Sequence, residues 1–500
     1  MGKPSRVNLT RTKSVEDILA TTGEGDEHGA GSGLRKQLRA TDLMSFGIGI
    51  VIGTGIFTLT GVAAKNFAGP GVVLSFALAG VVSLLAALCY AELSSAVPTA
   101  GSAYTYAYAT IGEIFAWIIG WDLVLEFALG AAVVARGWSA YLQGLNDAIP
   151  ASLFGESAPV NVGAVAIVLL LGVVAYVGIR ESKWVTNTLV VVKVLICLFV
   201  ILAGAFYVKA SNWSPFIPSG KPPEETLSGL TQPLWQAAVG VDPSVYGMAG
   251  VLSAAAVVFF SYTGFEAVAN LGEETRNPRR DLPIGLLGTL GICTVLYIGV
   301  SAVLTGMVEY TDIDEGAPIS SAFDTVGLGW AAVLVGVAAI AGLTSVILVD
   351  IVAMGRIGFA MARDGLLPTR LAKVHPRYGT PSVITVVTVA FIALLAALVP
   401  LGALAEMVSI GTLFAFTIVS LAVPILRRTK RDLPRPFRTP LSPVLPVVSA
   451  LLCLALMTNL ALETWIRFLV WLLIGFAIYF TYGVRRSRVG RRDEELETVG

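Results

Sequence analysis

Four ionisable side chains stand out among those inside apolar runs of this 500-residue chain. Glu126 lies in GWDLVLEFALG, Lys193 in WVTNTLVVVKVLICLFVILAG, Glu266 in AVVFFSYTGFEAVANLGEE and Asp350 in SVILVDIVAMGRIGFAMARDG. A charge near the middle of a bilayer costs at least about 2.5 kcal/mol, so such residues read first as functional. Lys193 is nine residues past Trp184, about 14 Å into a core of about 30 Å. Burial disfavours the charged form of an amine, which makes proton exchange one role for it; a structural cation on backbone carbonyls is the other. Glu126, near the middle of its run, has three readings: proton-relay acid, pocket wall, or carboxylic acid kept neutral by apolar surroundings. Glu266 directly follows the Gly264 break and has three readings: it holds a gate in place, ionises during a working cycle, or makes a structural pair. Asp350 either pairs with a cationic ligand or sits nearer one interface and pairs with Arg356. Arg136 is expected to snorkel or to pair with an acid rather than to bind a ligand.

A second kind of chemistry comes from the backbone. Gly47 to Phe57 reads GIGIVIGTGIF, with four glycines in an apolar run. Each costs a helix about 1 kcal/mol relative to alanine. A helix opened in mid-membrane leaves N–H and C=O groups unpaired, which is tolerated where they line a cavity or meet a ligand. Amides beginning the next half-helix, at its positive dipole end, suit a carboxylate; carbonyls left by the open turn suit an ammonium. Two such breaks facing each other make a receptor for a zwitterion, and the commonest metabolite with that head is an α-amino acid. Gly264 with Glu266 marks the second break. The competing reading is that these glycines only allow close helix packing. Gly47 and Gly49 fit it; the break is placed at Gly53, Thr54 and Gly55.

These residues need a membrane scaffold to position them. The chain is 55% hydrophobic and 14% charged, against roughly 25% charged in soluble domains. Apolar runs of spanning length start near Leu43, Gly71, Glu113, Asn161, Trp184, Gly250, Pro283, Gly329, Ser382, Gly402, Pro443 and Thr464, so twelve transmembrane helices are expected. No cleavable signal peptide is expected, because residues 1–41 are polar. Of 34 Lys and Arg, 28 fall on the face that holds both ends of the chain, and the opposite face has only Lys65, Lys209, Lys221 and Arg467. The positive-inside rule places both termini in the cytoplasm. The four cysteines lie inside spans without paired spacing, and His28 and His375 lie in cytoplasmic segments; no metal site, cofactor or nucleic-acid partner is expected. Asp42 is expected to cap the first span. Residues 209–248 are expected to form a short external helix or lid. The basic, Pro-interrupted run RRTKRDLPRPFRTPL is expected to isolate the last two spans from the first ten. The interrupted spans one and six begin two five-span halves, and an odd number of spans forces the halves into inverted orientations, the arrangement that points to a transporter site.

The runs LRKQLRATDLMSFGIGIVIGTGIFTLTG, FFSYTGFEAVANLGEETRNPRRDLPIG and RIGFAMARDGLLP resemble the amino acid–polyamine–organocation transporters, and are most similar to the bacterial cationic amino acid transporter branch. The resemblance covers about residues 34–485. It implies an all-α membrane protein with a five-plus-five inverted repeat, broken helices one and six (a LeuT-like arrangement) and two extra C-terminal helices. Its segments would be a cytoplasmic tail 1–41, a ten-helix transport core 42–426, a basic linker 427–442, a last helix pair 443–484 and a tail 485–500. It implies that the substrate carboxylate meets the amides of Thr54 and Gly55, with Gly53 in the same turn. The amino group would meet carbonyls of Val51, Phe260, Ser261 and Thr263, and the Phe260 ring would gate the site. It places Lys193 where related sodium-coupled carriers hold a sodium ion, which favours protons as the coupling ion, and it places Glu126 near the pocket and Lys193. It also puts Asp350 where relatives have a neutral pocket residue, a departure that suits arginine, lysine or ornithine.

The expected function is therefore a plasma-membrane amino acid carrier working by alternating access and coupled to protons. Cationic substrates are somewhat favoured over small neutral ones, and a small single-span membrane partner is compatible with the chain. An exchanger of one amino acid for another or for an amine, and a membrane amino acid sensor, are the alternatives; no nucleophile or cofactor constellation supports an enzyme.

Overall fold

The computed structural model describes residues 11–12, 37–96, 102–146, 148–155, 158–178, 183–222, 229–242 and 244–491. His28, Arg180, most of the N-terminal tail and residues 492–500 lie outside the described residues. The described chain is helical, with no β-strand beyond isolated residue pairs. In chain order the main helices are α1 (Ala40–Val51), α2 (Val72–Ala96), α3 (Ser102–Thr110), α4 (Glu113–Gly144), α5 (Val162–Val177), α6 (Lys183–Gly204), α7 (Gly247–Val258), α8 (Pro278–Met307), α9 (Gly329–Arg363), α10 (Ser382–Leu398), α11 (Leu401–Thr429), α12 (Val444–Met457) and α13 (Leu462–Ile478). Eight helical stretches are long and apolar enough to cross a membrane; α1, α5, α10 and α12 are shorter apolar helices. The protein is a multi-pass membrane protein.

Local signals set several helix ends. The Asp42 carboxylate accepts the Arg39 amide at 2.9 Å and closes the start of α1 as expected. The Asn161 side chain accepts from the Ala164 amide at 2.9 Å ahead of α5, and Gly178 ends α5 in the left-handed region at φ 77°, where a side chain would be strained. The helices divide by what they face. The most apolar window of α4 is 94% buried, whereas α5, α6 and α8 turn Val173, Leu195 and Val295 outward. Lipid solvates such side chains as well as a protein core does, so outward leucine and valine stripes cost nothing there. α4 is thus the central post, and it carries Glu126.

Three connections differ from, or sharpen, the sequence reading. The basic linker does not isolate the last helices. Arg427 forks onto Glu92 at the end of α2 (2.6 and 2.8 Å) and the Thr439 amide donates to the same carboxylate at 2.7 Å. Trp117 and Trp121 of α4 donate to the Gly475 and Trp471 carbonyls of α13 at 3.0 and 2.9 Å. The linker composition read as a spacer because its arginine partner, Glu92, is more than three hundred residues away in the chain. Arg136 does not snorkel: it is 2% exposed and donates to the Val399 carbonyl at 2.6 Å, beyond the end of α10. The orphan carbonyls of a helix end give this guanidinium a closer anchor than the interface does. The external segment holds a six-residue helix, Leu234–Val239, and folds back on the chain after α1, where the Tyr246 amide donates to Phe67 at 2.8 Å. Asn277 and Pro278 open α8 in the GEETRNPRRDLPIG loop, where Arg276 and Arg280 are exposed.

Candidate functional site

The first interruption falls where the glycines are. α1 ends at Val51, Ile52 is extended (φ −75°, ψ 95°), and the chain winds again from Gly55 through a wide turn to Leu59. The N–H groups of Gly53, Thr54 and Gly55 have no hydrogen-bond acceptor among the described residues. They are the leading amides of a new helix and share its positive end. The second interruption has the same logic with different parts. α7 gives way at Val258 to a tight turn, Phe259–Tyr262; Thr263 is extended, and Gly264 takes φ 96° before a further tight helix, Phe265–Glu274. Only glycine adopts that φ without strain. The Glu266 carboxylate accepts the Gly264 amide at 3.0 and 3.1 Å, so it holds the turn.

The two interruptions approach each other closely. A Cβ on Gly55 would stand 2.5 Å from the Ser261 Cα, so no larger residue fits while the two backbones keep this approach. Between them lies one cavity. Ile50, Val51, Gly53, Thr54 and Gly55 line it from the first interruption, and Phe260, Thr263 and Gly264 from the second. α4 contributes Glu126, Phe127, Gly130 and Val134, and α9 contributes Val346 and Asp350. Nine residues singled out in the sequence therefore share this cavity: Val51, Gly53, Thr54, Gly55, Glu126, Phe260, Thr263, Gly264 and Asp350.

Three others stand behind its wall. Ser261 is 1% exposed, and its hydroxyl has no hydrogen-bond partner among the described residues. Glu266 faces Glu126 from beneath the second turn. Lys193 is buried and donates its Nζ to the Gly49 carbonyl at 2.5 Å, packed beneath Gly342 of α9. The carbonyls differ in availability. Phe260 O already accepts from the amide and the hydroxyl of Thr263 (3.1 and 2.8 Å), which fills both lone pairs. Val51 O accepts the Tyr297 hydroxyl at 2.6 Å and keeps one lone pair. Asp350 makes no ion pair with Arg356, which is exposed; its carboxylate lies 3.3 Å from where a Cβ on Gly130 would be. Gly130 thus opens the slot that lets Asp350 reach the cavity.

Sequence reasoning missed Gly130, Val134 and Val346 on the wall and Tyr297 behind it. Gly130 and Val134 follow Glu126 at steps of four, and Val346 precedes Asp350 by four, one face of a helix in each case; that spacing was a readable signal. Tyr297 carried none, because a phenol buried between helices looks like any aromatic core residue.

Residues 39–479 match the amino acid permease family. The chain is 43% identical to a branched-chain amino acid permease of Bacillus subtilis, over 97% of this chain and 99% of that protein. It is 42% identical to the methylthioribose transporter of the same organism, over 97% and 100%, and 37% identical to the vacuolar cationic amino acid transporter 4 of Arabidopsis thaliana, over 85% and 68%. With a family match across most of its length and such relatives, the chain belongs to the amino acid permease family, within the amino acid–polyamine–organocation superfamily.

Proposed function

We propose that this protein is a secondary amino acid carrier of the plasma membrane, with both termini cytoplasmic, that works by alternating access and takes up substrate with protons. The observation that carries the reading is the set of unpaired amides at Gly53, Thr54 and Gly55 facing the second interruption across one cavity. The amides receive the substrate carboxylate, with Thr54 and Gly55 closest. The carbonyls of Val51, Ser261 and Thr263 receive the amino group, and the Phe260 ring closes over it. Twelve spans are arranged as a ten-helix core, residues 42–426, in two inverted halves that each begin with an interrupted helix; residues 427–442 link it to the pair at 443–484.

Lys193 links protonation to opening. A charge-assisted hydrogen bond is roughly twice as strong as a neutral one, so losing the Lys193 proton weakens the hold on the Gly49 carbonyl at the end of α1. Glu126 and Glu266, facing each other beside the cavity, complete the proton machinery.

Asp350 favours a cationic side chain, since it reaches the cavity without an ion-pair partner. The apolar wall of Phe127, Val134 and Val346 supports a second reading, a neutral branched-chain substrate, in line with the name of the Bacillus permease. Thermal stabilisation of the purified protein separates the two. Arginine, lysine and ornithine are expected to raise the melting temperature, and Asp350→Asn to remove that effect while leaving any response to leucine. Stabilisation by leucine, valine and isoleucine alone would overturn the cationic preference. No response to any amino acid would overturn the site itself.

A further inference from the structure

The cavity walls leave one acid unexplained. Asp122 is on α4, one helical turn before Glu126 and on the same face. It is fully buried, and neither carboxylate oxygen has a hydrogen-bond partner among the described residues. It does not line the cavity. Its place is made by α11: a Cβ on Gly411 would stand 2.8 Å from Asp122 Oδ1, and the next residue, Thr412, has a buried hydroxyl that also lacks a partner. Thr412 in turn faces Glu126. The other groups facing Asp122 are Glu126 on its own helix and Tyr90 on α2; Tyr90 also faces Glu126, Glu266 and Tyr106. A buried carboxylate with no donor is among the costliest groups a membrane protein can hold. A proton on one of its oxygens is the way such a group is carried at least cost.

We propose that Asp122 is a positioning residue of proton coupling: a second proton store one turn below Glu126, through which the proton leaves the substrate cavity towards the cytoplasmic end of α4. The proposal rests on the proton-coupled reading above and extends its path. In the working step the Asp122 O–H bond breaks and its proton passes to solvent water that reaches it from the cytoplasmic end of α4, forming hydronium. An O–H bond on Glu126 then breaks and one on Asp122 forms, directly or through the Thr412 hydroxyl, which accepts one proton as it gives up another. Charge moves by one proton and no other bond changes. Residues four apart on a helix have Cβ atoms about 5–6 Å apart, within reach of such a transfer. Glu126 is left ionised beside the substrate while Asp122 is neutral again, so the two sites are never both charged.

Reconstituted Asp122→Asn tests this. Accumulation driven by an inward proton gradient is expected to fall roughly tenfold or more, while exchange of internal for external amino acid without a gradient stays near the wild-type rate. Gradient-driven accumulation at the wild-type level would overturn the proposal, as would equal loss of both activities, the mark of a structural role. Should Asp122→Asn not fold, Gly411→Ala crowds the same carboxyl while keeping it. It is expected to displace the pH profile of accumulation, and an unmoved profile would overturn the proposal. Wild-type uptake that ignores the proton gradient would instead overturn the coupling reading on which it rests.

Discussion

At the scale of single residues, the end of α1 shows how an interrupted helix is kept open. Its last carbonyls have lost their helical donors, and two side chains replace them: Lys193 on Gly49 and Tyr297 on Val51. Both donors are held by packing, Lys193 beneath Gly342 and Tyr297 against Phe76 and Tyr262. The lysine is the one of the pair whose charge can change. Lys193→Met keeps the bulk and removes both the proton and the hydrogen bond, so accumulation against a gradient should disappear; labelled uptake into proteoliposomes measures it, and a variant that still concentrates substrate would remove Lys193 from the coupling. Glu126, Lys193, Glu266 and Asp350 were legible because a charge in an apolar run is anomalous; Asp122, in the same run as Glu126, was passed over. The partners of the four were not legible, since a backbone carbonyl or a phenol leaves no compositional trace.

At the scale of elements, the paired interruptions hold the site, and their glycines do different work. Gly264 is needed for its positive φ, and Gly55 for its approach to Ser261. Gly47, by contrast, packs against Thr289 of α8, the close-packing role that the competing reading gave to the whole run. Gly55→Leu should insert and remain helical yet lose transport, because the side chain enters the space of the Ser261 backbone. Circular dichroism and uptake on the same preparation check this, and a transporting variant would mean that the interruptions do not need this contact. The positions of the interruptions and the helical course could be read from glycine content and apolar runs. The cavity wall on α4 was half legible: Glu126 stood out, while Gly130 and Val134 on its face passed as ordinary spanning residues. The linker was misread for a different reason. Its arginines look like a solvated charge run until folding brings Glu92 to them.

At the scale of the whole molecule, Arg11 and residues 479–487, distant in sequence, meet at the start of α4. The Glu113 carboxylate, fully buried at its start, accepts from Arg11 at 2.7 and 2.9 Å, from Tyr108 at 2.7 Å, from Tyr479 at 2.9 Å and from Ser487. Deleting residues 1–10 leaves this cluster whole and should leave uptake intact; loss of all uptake would favour a sensor acting through its tail. Deleting through Arg11 leaves a buried carboxylate short of its cation, which should cost about 3 kcal/mol of stability, visible as a lower melting temperature. The central claim concerns the molecule as a carrier. It is tested most directly by reconstituting the purified protein and following labelled amino acid under an imposed pH gradient, acidic outside. The account predicts accumulation above the external concentration, abolished by a protonophore; uptake that only equilibrates, whatever the gradient, would contradict it.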